Sequence, residues 1–435
     1  MLDIKFIREN KEAVAKAAKD KNISLDIEEL LKLDEKRRLL VGSLGDLRAN
    51  KNSLAGAVQN SKPSPETIEQ GKMLKTKITE QEKELDLVEE KYFQLMVQVP
   101  TIPSADTPIA PNEIGNKEIY VSGKIPKFSF KPKNHIELAK DLDLIDFERG
   151  VKTSGYRGYY LKNEASQIVL AMMLYAMNKM VSKGYTPMIP PTLVKGFSLF
   201  GTGYFKGKEY NPEIDEIYQI ANSDKESDGT VSKENKFLVG TSEPSLLAYY
   251  ADEVLKGEDL PIKLCGFSQC YRSEIGGYGK DTKGLYRVHE FFKVEQIVIA
   301  PADAKLATKL QDEMLEISKE IHEELGLVYR ILQICTGDMS AGKYRALDIE
   351  TWLPGSEKWA ETGSASSFLD WQSRRLNIKY TDKEGNKQFA YLLNNTALPS
   401  PRPLIAIMEN YQTKDGSIEI PKVLRPYLPF KKISR

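Results

Sequence analysis

Arg272, Ser273 and Glu274 end the run GFSQCYRSE, and Phe291 and Glu295 lie in VHEFFKVEQIVIA beyond the glycine-rich stretch IGGYGKDTKGLYR. Two β-rich runs around a loop of about a dozen residues imply an antiparallel hairpin. In its return strand His289, Phe291, Lys293 and Glu295 share one face by the period of two, with Val288, Phe292 and Val294 on or near the other. Such a surface suits the joining of a carboxylate to a nucleotide phosphate. A planar guanidinium contacts both anions and gathers their charge. An aromatic ring offers a base a stacking face, and Glu274 is an acceptor for an adenine amino group. Each residue also has a plainer reading, a surface ion pair for Arg272 and Glu274 and core packing for Phe291. It is the order RSE, loop, RVHEFFKVE that points to a nucleotide site.

Composition narrows the remaining chemistry. The chain has 435 residues, which favours a small module plus a catalytic domain, and its 41% hydrophobic and 29% charged residues are those of a globular protein. Three histidines (His135, His289, His322) are too scattered for a histidine metal site, and no zinc is expected. The cysteines Cys265, Cys270 and Cys335 form no CxxC pair, read as core or strand residues, and fit a reducing compartment. The N-terminal segment lacks the features of a signal or transit peptide, and no apolar run has the length of a membrane span, so a cytoplasmic protein without membrane contact is expected. Basic and acidic residues balance at 62 each, so any contact with RNA must come from local charge. No P-loop lysine motif and no HIGH or KMSKS signature is present, and GTGYFKG at Gly201 is no dinucleotide fingerprint.

The elements that position this hairpin begin with an arm. Leu30, Leu33, Arg37, Leu40, Leu44, Leu47, Lys51, Leu54 and Val58 keep a heptad seam, Asn60 to Pro65 breaks it, and Thr67, Gly71, Leu74, Ile78, Gln81, Leu85, Val88, Tyr92 and Leu95 resume it. Two antiparallel helices of about 33 residues, roughly 50 Å long, are predicted. Arg48 to Lys77 holds six basic residues against two acidic ones, a net of +4 at the far end. A dimerising or spacer coiled coil is the ordinary account of such a hairpin; the basic tip adds RNA to the possibilities. Gln98 to Pro111 has four prolines and reads as a linker, with the boundary near Pro108. Beyond it, Asn163 to Lys183 is an apolar helix ended by Gly184 and followed by YTPMIPPTLV, which reads as a core helix leading to an edge strand.

Taken together, the arm, GTSEPSL (Gly240 to Leu246), YRSE with RVHEFFKVE, WAETGSASSFLDWQSRR (Trp359 to Arg375) and the run from Leu392 to Gln412 containing NNTALPSPR resemble the class II aminoacyl-tRNA synthetases. More narrowly, they resemble seryl-tRNA synthetases of the bacterial and organellar type, over nearly the whole chain. The resemblance implies an α+β fold: an N-terminal tRNA-binding helical domain (1–108) with its coiled-coil arm (about 27–99), then a catalytic domain (109–435) on a mixed, mainly antiparallel sheet flanked by helices. It implies an ATP-dependent serine–tRNA ligase that forms seryl-adenylate and transfers serine to the 3′ end of tRNA(Ser), and leaves open whether tRNA(Sec) is served too. A homodimer is implied, as is an arm that reaches the long variable arm of the tRNA, by shape and phosphate contact.

By the same resemblance, Arg272, Ser273, Glu274, Val288, Phe291, Glu361, Thr362, Gly363, Ser364 and Arg402 match ATP-binding positions, with Arg272 catalytic and Arg402 at the γ-phosphate. Glu361 and Ser364 match the pair that meets Mg²⁺. Thr241, Ser242, Glu243, Glu295 and Thr396 match the L-serine pocket, though TSEPSLLAYY also reads as a plain helix start. A buried acceptor would reject an analogue without the hydroxyl. ETGSAS stands where EISSCS is usual and NNTALPSPR where NGSGLAVGR is, which puts Thr362, Gly363 and Thr396 in question more than Glu361, Ser364 or Arg402. Two other readings are a carrier-protein aminoacylating relative, against which the arm argues, and a noncatalytic RNA-binding scaffold, against which Arg272, Glu274, Glu295, Glu361 and Arg402 argue.

Overall fold

The computed structural model describes residues 1–57, 64–221, 225, 227–275 and 283–435. The turn of the arm around Asn60 and the glycine-rich stretch at 276–282 lie outside the described residues. On both sides of that turn the heptad seam becomes helix, α1 (Ile27–Ala57) and α2 (Pro65–Met96). Pro65 opens α2 where a missing N–H costs nothing, and Ser64 caps it by accepting from the Thr67 N–H. Leu30, Leu33, Leu40 and Leu44 of α1 and Ile78 and Val88 of α2 are buried, whereas Leu39, off the seam, is 69% exposed. Lys36–Glu84, Arg37–Glu89 and Arg48–Glu82 pairs cross between the helices. Exposed pairs of this kind contribute only about 0.2 to 1 kcal/mol each, so the leucine seam holds the arm.

At the base of the arm Ile7, Val14, Leu30, Met96 and Val99 form a small core of their own. The proline-rich segment that follows is not helical, as its composition predicts, but neither is it a free tether. The Thr101 N–H donates to the Ala341 carbonyl (2.9 Å), the Ser104 N–H to Tyr344 (2.8 Å), and Pro108 accepts from the Thr336 N–H (2.9 Å). The buried Lys21 ammonium donates to the Lys343 (2.6 Å) and Ala341 (3.1 Å) carbonyls of the same loop. Prolines forbid a helix without saying where the chain must lie, and here it lies along the catalytic body.

That body is built on eight strands: β1 (Lys117–Val121), β2 (Thr186–Met188), β3 (Ile262–Tyr271), β4 (Glu290–Ala300), β5 (Tyr329–Gln333), β6 (Arg345–Leu353), β7 (Lys358–Leu369) and β8 (Tyr391–Pro399). Their order is β1-β5-β6-β7-β8-β4-β3-β2, antiparallel throughout except for β2 beside β3. The hairpin read from RSE and VHEFFKVE is the β3–β4 pair. Helix α3 (Asn163–Ser182) precedes β2, and Gly184, at φ +83°, gives the left-handed turn that stops it. Helices α5 (Ala304–Glu324) and α6 (Pro401–Asn410) pack against the sheet, and their buried residues join those of α3, β3, β4 and β8 in the main core. Cys265, Cys270 and Cys335 are free and buried.

A carboxylate on the leucine seam should open the arm without touching the sheet. Leu44→Asp is expected to speed amide exchange across α1 and α2 and reduce helical circular dichroism, while β3 and β4 keep their protection.

Candidate active site

The site begins with a register shift. Between β4 and β8, Val294 faces Leu398 but Glu295 faces Thr396, so Ala397 is an extra residue in β8. Bulges of this kind re-aim side chains beside functional sites. Here the Thr396 hydroxyl donates to Glu295 Oε2 at 3.4 Å, and Lys293 Nζ stands 2.6 Å from the same oxygen. From behind, Ser318 of α5 donates to the Thr396 carbonyl (3.0 Å) and locks its position.

On its other side Glu295 faces Gly266 of β3. A Cβ at Gly266 would lie 2.8 Å from both Ser242 Oγ and Leu246 Cδ1, so the glycine lets the GTSEPSL segment and helix α4 (Glu243–Ala248) close over the sheet. The Ser242 hydroxyl donates to the Gly266 carbonyl (3.3 Å), a structural use. Thr241 Oγ1 is buried without a hydrogen-bond partner, which leaves it for a ligand. Both oxygens of Glu243 are engaged, one by Gln372 Nε2 (2.8 Å) and one by the Tyr204 hydroxyl (3.1 Å). Burial raises the Glu243 carboxyl, and the Glu295 charge adds to it against the Gln372 bond.

Next to this pocket a cleft is walled by Arg272, Glu274, Val288 and Phe291 of the hairpin region, and by Lys293, Gly363, Thr396 and Arg402. The Arg272 guanidinium carbon lies 5.3 Å from the Phe291 ring centre, and its Nε donates to the Gly240 carbonyl (3.3 Å). Glu274, at φ +54°, pairs with Arg287 and stands 3.7 Å from Arg157. Arg402 Nη1 donates to the Glu361 carbonyl (2.7 Å) and approaches its carboxylate (3.3 Å), while Nε donates to the Tyr286 carbonyl (3.1 Å).

A second bulge sets Glu361 opposite Glu350 and Gly363 opposite Ile349, with Thr362 as the extra residue. Thr362 borders the cleft, yet its hydroxyl is committed to His322 Nε2 (2.9 Å) and Thr351 Oγ1 (2.8 Å) in the core. Ser364 faces Asp348 across the β6–β7 ladder. Neither Ser364 nor Ser273 borders the cleft; Ser273 Oγ is buried without a partner.

Reading from sequence missed Tyr204, Gln372, Arg287 and Asp348, and gave Lys293 no role. Lys293 was within reach, since the period of two already sets it beside Glu295. Asp348 was not, because the interval between it and Glu361 is bridged only by strand pairing. Burial, and then the Glu361 charge, push Asp348 up to about 7, with Lys343 and the Ser364 bond pulling the other way. Glu361 has a half-exposed side chain; desolvation works upward there too, but Arg402, Arg272 and Lys343 outweigh it and hold the carboxyl below its usual range. Two carboxylates and a hydroxyl, with Asp348 Oδ1 buried and unpartnered, are a donor set for a hard cation that also takes phosphate oxygens. Among the described residues no group of three His, Cys, Asp or Glu gathers as a metal cluster.

Residues 1–103 match the seryl-tRNA synthetase N-terminal domain, and 226–411 match the class II tRNA synthetase core domain of the G, H, P, S and T group. The chain is 40% identical over 440 residues to the serine–tRNA ligase of Treponema denticola, covering all of both chains. It is 37% identical over 433 residues to that of Deinococcus radiodurans, covering 98% of this chain and 97% of the other. The crystal structure of seryl-tRNA synthetase from Pyrococcus horikoshii complexed with ATP superposes with TM-score 0.86 at 33% identity, over 100% and 99% of the two chains. The Naegleria fowleri cytoplasmic serine–tRNA ligase in complex with AMP gives 0.84 at 28%, with the same coverage.

The histidine behind Thr362 carries a pH signature. Burial lowers His322 to about 4, so the fold holds it neutral, its Nδ1–H donated to the Ser318 carbonyl (2.7 Å). An unfolded histidine protonates near 6.5. The stabilisation is therefore complete above about pH 6.5 and is lost as pH falls toward 4, a window worth on the order of 3 kcal/mol. His322→Gln should flatten the fall of Tm between pH 7 and 4.5; an unchanged slope would refute this.

Proposed function

Because the chain belongs to the seryl-tRNA synthetase family of class II aminoacyl-tRNA synthetases, we propose that it is an ATP-dependent serine–tRNA ligase. The observation that carries the reading is the buried Glu295–Thr396 pair opening on the Arg272–Phe291 cleft. Adenine stacks on Phe291 beside Val288, and Glu274 shares its lone pairs between the adenine amino group and Arg287. Arg402 holds the γ-phosphate end. Glu295, Thr396 and the unpartnered Thr241 hydroxyl hold serine, with Glu243 fixed behind by Tyr204 and Gln372.

Arg272 then draws the serine carboxylate and the α-phosphate together. The carboxylate oxygen bonds to the α-phosphorus as the bond to pyrophosphate breaks, giving seryl-adenylate. A terminal ribose hydroxyl of tRNA(Ser) next attacks the acyl carbon, and AMP leaves. Positioning and charge stabilisation do this work without a covalent enzyme intermediate. Glu361, Ser364 and Asp348 would hold magnesium, which when bound neutralises phosphate charge. Of the carried-over contacts, the Thr362, Ser242 and Ser273 hydroxyls have the least support: the first two are bonded within the fold, and Ser273 does not border the cleft.

The tRNA enters by the arm. A boundary near residue 108 leaves the N-terminal unit with the basic far half of α1 and α2, suited to the phosphates of the long variable arm. A homodimer is favoured by Leu170, Leu174 and Val181, exposed by 61%, 53% and 48% on one face of α3, with Ile189 at 82% just beyond β2. No helix of the described residues is long and apolar enough to cross a membrane, and the three free cysteines fit the cytoplasm.

Serine-dependent ATP–pyrophosphate exchange tests the first step, and absence of exchange would reject the enzyme. Arg272→Ala is expected to lower exchange by at least about 100-fold. Deleting Arg48–Lys77 and rejoining the helices should spare exchange while cutting charging of tRNA(Ser); intact charging would refute the account of the arm. Leu174→Glu should shift the sedimenting species from dimer to monomer.

A further inference from the structure

Lys293 is paired with the buried carboxylate that the proposed function gives to the amino acid. Its Nζ lies 2.6 Å from Glu295 Oε2, with side chains only 7% and 4% exposed. Lys293 borders the cleft beside Thr396, and its ammonium covers Glu295 Oε2 there. Thr396 points at that same oxygen, and Oε1 has no partner among the described residues. A carboxylate this buried is costly unless paired, and one extra ammonium beside it is costly too once a second arrives.

On the reading of this cleft as the site of serine activation, we propose that Lys293 is a charge the amino acid releases. In the free enzyme its ammonium fills the place of the serine ammonium at Glu295. Bound serine takes over that carboxylate, and the displaced Lys293 turns into the cleft, where it adds positive charge beside Arg272 at the reacting carboxylate and α-phosphate. The other cleft cations are otherwise committed: Arg287 to Glu274, Arg402 to Glu361, and Arg272 to the Gly240 carbonyl and the Phe291 ring. Only Lys293 is tied to the group that must receive the amino acid. Assembly of the phosphate site thereby depends on serine being in place, so that ATP alone does not complete it.

The test uses the full-length chain and two variants, Lys293→Met and Lys293→Arg. For Lys293→Met the release model expects kcat of serine-dependent exchange to fall at least about 100-fold. The KM for serine, and the Kd for serine alone by calorimetry, should stay equal to the parent's or fall, because the competitor is gone. Lys293→Arg, which keeps the charge, should recover kcat to within about tenfold of the parent. A lysine that merely props Glu295 gives the opposite split, a raised serine KM with kcat within threefold, and that result overturns the proposal. So does a parallel loss of kcat and serine affinity. Should Lys293→Met fail to fold by circular dichroism, Lys293→Gln is read against the same two outcomes. A parent enzyme without serine-dependent exchange would instead sink the underlying assignment of function.

Discussion

A carboxylate placed at the centre of a sheet must be paired, and much of the catalytic domain serves to hold Glu295 in that condition. The strand it sits on is interior to the sheet, flanked by β3 and β8, and Glu295 itself is buried. The extra residue Ala397 turns Thr396 toward it, Gly266 makes room for the Ser242 segment over it, and Ser318 fixes Thr396 from the helix behind. Remove the bulge and Glu295 would face alanine. Fill Gly266 and the Thr241–Glu243 segment could not close.

The cleft beside it obeys the same rule. Glu274 has Arg287 and Arg157, Glu361 has Arg402, and Glu295 has Lys293. Each of these acids is thus balanced by at least one cation of the protein. Asp348 stands outside this balance, pushed up to about 7 by burial and by the Glu361 charge, with an unpartnered oxygen. The N-terminal unit is tied to the same region, through Lys21 and Thr101 on the 340–344 loop that leads into the strand of Asp348.

Local patterns in the sequence were enough for the arm and for the hairpin. Heptad spacing, a proline break and strand periodicity are properties of neighbours in the chain, and α1, α2, β3 and β4 follow them. The pairing of Glu295 with Thr396 was foreseen through the resemblance, but not the bulge that creates it, because register is decided between strands distant in sequence. For the same reason the bond from the Thr362 hydroxyl to His322 and the place of Asp348 opposite Ser364 are not legible in the sequence. Residues 98–111 read as a tether, since prolines exclude helix but carry no information about docking.

On this reading of the pocket a buried, hydrogen-bonding acceptor selects the amino acid by its hydroxyl. Pyrophosphate exchange measured with L-serine and with L-alanine tests it most directly, because alanine keeps the ammonium and lacks only the hydroxyl that Thr396 and the second Glu295 oxygen would receive. Such a site should favour serine in kcat/KM by about ten thousand or more. Comparable exchange with alanine would show that Glu295 does not read the hydroxyl, and would contradict the account.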